Sequence, residues 1–166
     1  MIHIILYHPE IPQNTGNILR TAMATNSIVH IIGTSPFDIS DKALQRAGMD
    51  YIKDAKFDYY ESYEDFDKKF KNKKIYYVTK YGTNVYSQVD FSNQLDDVYV
   101  MFGRESTGID KDILSAHKET TLRIPMMSTA RSLNLSNSVA IIVYDILRQQ
   151  NFPNLASFDM IKKFKI

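Results

Sequence analysis

Two short runs constrain this chain more than any other feature. Ile2–Tyr7 (IHIILY) and Val29–Gly33 (VHIIG) are apolar and β-branched on successive residues, not on alternate ones. A strand with one wet face alternates, whereas a strand apolar throughout is covered on both sides. Between them, NTGNILRTAMATN places Ile18, Ala22 and Thr25 along one helical face, with Asn14 as its N-cap. Strand, helix and strand in succession build a right-handed parallel crossover. The expected fold class is α/β, a parallel sheet with helices on both faces.

The rest of the chain repeats the theme. Ile75–Thr79 (IYYVT), Val98–Phe102 (VYVMF) and Thr121–Ile124 (TLRI) read as strands. SDKALQRAG reads as a capped helix ended by Gly48, and SYEDFDKKF as a helix with a Ser62/Asp65 capping box. DKDILSAH starts a helix after Gly108, and Val139, Ile142, Val143 and Ile146 give a long helix after Asn137. The tail NLASFDMIKKF reads as a short amphipathic helix. With no repeat, low-complexity segment or long linker, residues 1–166 form a single domain.

Composition removes several chemistries. The chain has no cysteine, which excludes disulfides, thiolate metal sites and cysteine nucleophiles. His3, His8, His30 and His117 show no metal-ligand spacing, so no metal is expected. A net charge of +1 gives no global pull on nucleic acid, so any such binding must come from a local basic patch. The chain opens directly on IHIILY without a basic segment or a long apolar stretch, and is read as cytoplasmic, mature as written and not a membrane protein.

Three later strands end alike: Val78-Thr79 runs into KYGT, Phe102 into GRESTG, and Ile124 into PMMSTARS. Ligands of open parallel sheets bind beyond the carboxyl ends of strands, so three such loops suggest one convergent pocket. Gly82, Gly103 and Gly108 suit close backbone approach or positive φ. Neither G-x-G-x-x-G nor G-x-x-x-x-G-K-[ST] occurs, which disfavours a common dinucleotide fold and a P-loop NTPase.

Arg20, Lys80, Arg104, Arg123 and Arg131 gather at or beside these loops, a distribution suited to phosphate-bearing ligands. Lys80 and Arg123 are read as solvated charges, and Arg20, beside Ile18-Leu19, as facing inward. Glu105 either orients Arg20 or Arg104 or caps the helix that follows. Tyr144 either belongs to the core or brings a hydroxyl beside the pocket. The stretch RSLNLSNSVAII holds three serines and two asparagines between Arg131 and Ser138, more than one helix cap uses. Ser136 or Asn137 is read as the cap, and Ser132 to Asn134 as closing the pocket.

PEIPQNTGNILRTA, MFGRESTGI and LRIPMMSTARSLNLSNSVAIIVYD, in that order and spacing, resemble the three signature motifs of the SpoU branch of the SPOUT RNA methyltransferases. Within it the chain resembles the minimal tRNA wobble-nucleotide 2′-O-methyltransferases over essentially its whole length. The resemblance implies a homodimer, a C-terminal trefoil knot, and methyl transfer from S-adenosylmethionine to the ribose 2′-hydroxyl of C34 or U34 in a tRNA anticodon stem-loop, without metal. It assigns the cofactor to Val78, Gly103, Ile124 and Ser132, with Leu133 and Asn134 beside them. The first-motif Asn and Arg fall on Asn14 and Arg20, and the second-motif Glu on Glu105. Tyr144 and the basic loop would approach the partner's cofactor, with Arg20, Arg104 and Arg131 meeting RNA. The long helix and the tail SFDMIKKF are the interface candidates, and Tyr7, Tyr51, Tyr81 and Tyr144 the candidate stacking platforms for bases.

A guanidinium with a pKa above ~12 is a poor proton acceptor, so Arg20 is expected to bind phosphate and stabilise oxyanion charge rather than act as a base. Three rival readings are disfavoured. A SpoU enzyme for another tRNA or rRNA nucleotide is disfavoured by the short chain. A non-catalytic RNA-binding protein is disfavoured by intact Arg20, Glu105 and SLNLSN. An α/β nucleotide hydrolase would need a phosphate loop and a metal-binding carboxylate pair.

Overall fold

In a computed structural model that describes residues 1–33, 55–93 and 96–158, the two outstanding apolar runs lie at the centre of one sheet. Every side chain of β1 (Ile2–Tyr7) and of β6 (Val98–Phe102) is buried. The other strands are β2 (Ile28–Ile32), β3 (Phe57–Tyr60), β4 (Ile75–Val78), β5 (Asn84–Val85) and β7 (Thr121–Arg123). All pairings are parallel, in the order β3-β2-β1-β6-β4-β7-β5. The chain first walks outward from β1 to β3, then builds the other half. There β6 enters between β1 and β4, and β7 between β4 and β5. This late insertion sets the carboxyl ends of β6, β4 and β7 side by side, so their loops converge.

Helices cover both faces. On one, α1 (Pro12–Ala24) and α4 (Leu135–Gln149) pack together over the sheet through Ile18, Leu19 and Ala22 on α1 and Val139, Ile142, Val143 and Ile146 on α4. On the other, α2 (Tyr63–Phe70) and α3 (Lys111–Ala116) cover Ile5, Tyr7, Tyr77 and Met101. Burial of each large aliphatic side chain here contributes roughly 1.5–3 kcal/mol. The expected α/β fold with helices on both faces is what forms.

Local chemistry departs from the sequence reading in four places. Asn14 does not cap α1: the helix begins at Pro12, whose ring pre-sets φ for a first turn, and Ile11 is the N-cap residue without a side-chain cap. On α4 the cap is Asn134, not Ser136 or Asn137, and the helix begins at Leu135. Its side-chain oxygen accepts from the Ser136 and Asn137 amides. The Ser62 cap on α2 is as expected, accepting from the Asp65 amide. The described part of the tail, Asn154 to Phe158, is turn and bend rather than helix. The edge strands β3 and β5 were not expected, because FDYY and NV lack the apolar runs that marked the central strands. The helix read over SDKALQRAG, and Tyr51, lie outside the described residues.

Candidate active site

The GRESTG loop is shaped by two glycines. Arg104 and Gly108 exchange backbone hydrogen bonds of 3.2 and 3.0 Å, closing a tight turn in which Gly108 sits at φ +77°. Gly103 lies so close to the returning strand that a Cβ there would fall 2.2 Å from the Gly108 carbonyl carbon. Only glycine fits, and the loop therefore presents backbone to the space above it.

That space is a cavity of about 610 Å³ at the carboxyl ends of β4, β6 and β7. Val78, Phe102, Ile124 and Leu133 give it apolar walls, and Asn14, Glu105, Ser132 and Asn134 a polar rim. All six residues expected to hold a cofactor line it: Val78, Gly103, Ile124, Ser132, Leu133 and Asn134. Such a volume suits a nucleoside-sized ligand. Among the described residues, the 124–133 loop makes one internal backbone hydrogen bond, Ala130 N–H to the Met127 carbonyl. Most of its peptide groups are thus left for other partners, as a ligand-binding loop requires. Ile11, Met126 and Ser138 also line the cavity, and sequence reasoning missed them. Met126 stands in the quoted strand-end loop, whereas the other two lie at helix starts.

One hydrogen-bonded chain joins three distant segments. Glu105 accepts from the Glu10 amide (2.8 Å), the Ile11 amide (3.2 Å) and Asn14 Nδ2 (2.9 Å). Asn14 Oδ1 accepts from Asn134 Nδ2 at 2.9 Å. Asn134 Oδ1 in turn accepts from the Ser136 amide and hydroxyl at 2.9 and 2.7 Å. Glu10 returns the exchange, accepting from the Ser106 amide and hydroxyl at 2.9 and 2.8 Å. Glu105 therefore neither orients Arg20 or Arg104 in these contacts nor caps the following helix. It secures the entry to α1, because a carboxylate is the strongest acceptor for the amides that precede a helix.

The cations divide into two sets. Arg104 donates to Asp110 at 2.7 Å and lies 4.8 Å over the Tyr7 ring, while the Tyr7 hydroxyl donates to the other Asp110 oxygen at 2.5 Å. Arg104, and then Tyr7, hold the Asp110 carboxyl below its ordinary range. Burial, reinforced by Asp110, pushes the Tyr7 hydroxyl up to about 12. Lys80, Arg123 and Arg131 instead line a second hollow of about 680 Å³ that shares Lys80, Tyr81, Glu105, Ser106, Met126 and Ser132 with the first. Arg123 is half-buried and donates to the Lys80 carbonyl, so it is not the freely solvated charge expected.

Two expected residues lie apart from the cavity. Arg20 is exposed, not inward-facing, because the buried stripe of α1 runs through Asn14, Thr15, Ile18, Leu19 and Ala22. Tyr144 is 47% exposed beside the buried Val143, neither core nor lining, and shares the outer face of α4 with Ile141. Among the described residues there is no His/Asp/Glu cluster able to hold a metal ion, and no helix long and apolar enough to cross a membrane.

This arrangement has known counterparts. The tRNA (cytidine(34)-2′-O)-methyltransferase of Escherichia coli K12 is 40% identical over 154 residues, 92% of this chain and 96% of that protein. A solved structure from Bacillus anthracis, provisionally named an RNA methyltransferase, superposes with a TM-score of 0.91 at 44% identity, covering 96% of this chain and all of that one. Another, reported for the 2-OH methylation of C/U34 on tRNA, gives a TM-score of 0.83 at 34% identity, covering 91% and 97%. The profile of the SpoU rRNA Methylase family matches residues 1–144, a span that contains the cavity and the whole Glu105–Asn14–Asn134 chain. By sequence and fold, this protein belongs to the SpoU methylase family.

Proposed function

We propose that this protein transfers a methyl group from S-adenosylmethionine to the ribose 2′-hydroxyl of the wobble nucleotide, C34 or U34, in the tRNA anticodon stem-loop. It does so as a cytoplasmic homodimer, where its tRNA substrate resides. The observation that carries the reading is the Glu105–Asn14–Asn134 chain, which holds the three motif segments around a nucleoside-sized cavity. Family relatives named for this reaction support it.

The cavity fits the methyl donor. Val78, Phe102, Ile124 and Leu133 offer apolar walls to a flat base, while Ser132, Asn134 and the under-bonded 124–133 backbone offer polar partners. When bound, S-adenosylmethionine supplies an electrophilic methyl group on a sulfonium sulfur. The protein's own residues orient the acceptor, exclude water and manage charge. Asn14 and Glu105 fix the first turn of α1 against the cavity rim. Arg20, on the outer surface of that helix and outside its own subunit's cavity, acts at the neighbouring site of the homodimer, where it binds the adjacent phosphate and stabilises negative charge developing on the 2′-oxygen, whose proton leaves to phosphate or water. A second copy covers Ile141 and Tyr144 on α4 and brings Tyr144 and its basic loop towards the neighbouring site.

Incubation with tritiated S-adenosylmethionine and an anticodon stem-loop, followed by nucleotide mapping, tests this. Label should appear at position 34 and vanish when that ribose is 2′-deoxy. Label elsewhere, or failure to bind S-adenosylhomocysteine in calorimetry, refutes the reading. Arg20→Lys should lower turnover at least tenfold with little loss of RNA affinity, since an ammonium lacks the two-point fork.

A further inference from the structure

The second hollow is built from unlike parts with a common use. Lys80, Arg123 and Arg131 line it, and none has a carboxylate partner among the described residues. Its one acidic lining residue, Glu105, has its oxygens engaged by three N–H groups. Two other arginines differ: Arg104 and Arg148 sit against Asp110 and Asp145. Three cations without a carboxylate partner thus gather at this hollow, which adjoins the cavity for the methyl donor.

An aromatic ring stands between the two spaces. Tyr81 lines both and is 67% exposed. The Lys80 ammonium lies 5.0 Å from its centroid, and the Arg123 guanidinium grips the Lys80 carbonyl, so the backbone carrying the ring is anchored. Most of the Tyr81 surface is left exposed. Met127, 77% exposed on the same hollow, adds a polarisable apolar wall. Among the other candidate platforms, Tyr7 is buried and Tyr144 lies on α4 away from both hollows.

We infer that this hollow is a nucleotide subsite, in which Tyr81 stacks on a base flanking the methylated ribose while Lys80, Arg123 and Arg131 hold the adjoining phosphates. The inference rests on the proposed RNA methyl transfer and adds how the acceptor strand is gripped. An exposed ring beside cations is the combination that binds single-stranded RNA: the π-face takes any base, and the charges track the backbone. Stacking of a neighbour splays the loop and turns the target ribose towards the first cavity.

Anticodon stem-loops carrying 2-aminopurine on one side or the other of the target nucleotide test this on the intact protein. Stacking quenches the fluorophore, so one probe should darken on binding. Tyr81→Ala should abolish that quenching and raise KM for RNA roughly tenfold to a hundredfold. Tyr81→Phe should retain both, and Arg131→Met, outside the first cavity, should leave S-adenosylhomocysteine affinity within about twofold. Arg131→Met should flatten the dependence of log affinity on log salt by about 0.7–0.9, the signature of one lost phosphate contact. Methylation by the wild type without quenching of either probe, or equal quenching by Tyr81→Ala, overturns the subsite and leaves the function standing. Absence of both methylation and quenching overturns the function and the subsite together.

Discussion

Two polar clusters, similar in their chemistry, sit on opposite sides of this molecule and do different work. Under α2, His3 Nδ1 meets His30 Nε2 at 2.8 Å, and His30 Nδ1 meets the Tyr60 hydroxyl at 3.2 Å. Lys69 donates to that hydroxyl at 3.1 Å, and Asp97 lies 3.8 Å from His3 Nε2. Tyr99 stacks on His3 at 4.2 Å, and Phe66 and Phe70 stand edge-on to His30. No member lines either hollow. The Glu105–Asn14–Asn134 chain is equally well bonded but has the cavity along one side. A buried hydrogen-bonded cluster marks a site only when it borders space a ligand can enter. Sealed, the same groups specify the fold.

The largest effect should come from cutting the open chain. Glu105→Ala removes the acceptor of two amides and of Asn14 Nδ2 at once. Bonds to a charged acceptor contribute about 1.5–3 kcal/mol each when shielded, somewhat less at this half-exposed rim. Methyl transfer should fall at least about a hundredfold, and S-adenosylhomocysteine affinity about tenfold, as α1 loosens from the cavity rim. A folded Glu105→Ala protein that binds and turns over normally would show that the chain is only structural, like its histidine counterpart.

Cutting the sealed cluster should do the reverse. His30→Ala leaves His3 Nδ1 without its partner, removes one of the partners of the Tyr60 hydroxyl and opens a void among aromatic rings. The cost is about 2–4 kcal/mol of unfolding free energy, read by urea denaturation, with turnover of the folded protein within about twofold. Acid should imitate the substitution. Burial first, then His3, drives His30 down from 6.5 to about 4, against an opposing pull from Asp58. Burial likewise lowers His3, opposed mainly by Asp97. Below about pH 6.5 the unfolded chain therefore binds protons that the native state refuses. The histidine contribution is whole above pH 6.5, shrinks as pH falls, and is gone below about 4. For His30 this is at most about 3.5 kcal/mol, taking 6.5 minus 4 at about 1.4 kcal/mol per pH unit. His30→Phe should flatten this limb of the stability curve, and a limb parallel to the wild type would place the titration elsewhere.

The contrast also explains what could be read from the chain. Strands β1 and β6 were legible because burial on both faces leaves an unbroken apolar run. The cavity residues were legible because parallel strands deliver loops to one end of the sheet, and a matching motif supplied the numbers. Capping was not legible. Asn14 resembles an N-cap locally, yet its amide is claimed by Glu105, 91 residues away, and by Asn134, 120 residues away. The same long-range bond picks Asn134 as the cap of α4 from a run of eligible Ser and Asn residues. Arg20 was misread for a simpler reason: it follows the buried Leu19, but helix geometry turns it about 100° off the core stripe.

The smallest predicted effect separates paired from unpaired cations. Arg104 stands in the cavity wall and was expected to meet RNA, but its guanidinium is already committed to Asp110 and the Tyr7 ring. Its side chain is 23% exposed and its partner 51%, and such pairs contribute about 0–1 kcal/mol. Arg104→Met should thus lower stability by no more than about 1 kcal/mol, since the Tyr7 hydroxyl still donates to Asp110. Its effect on RNA binding decides more. If the ion pair holds in the complex, the salt dependence of affinity should match the wild type, in contrast to the flattened dependence of Arg131→Met. If it flattens equally, Arg104 exchanges Asp110 for a phosphate on binding, and the division between the two sets of cations belongs only to the RNA-free protein.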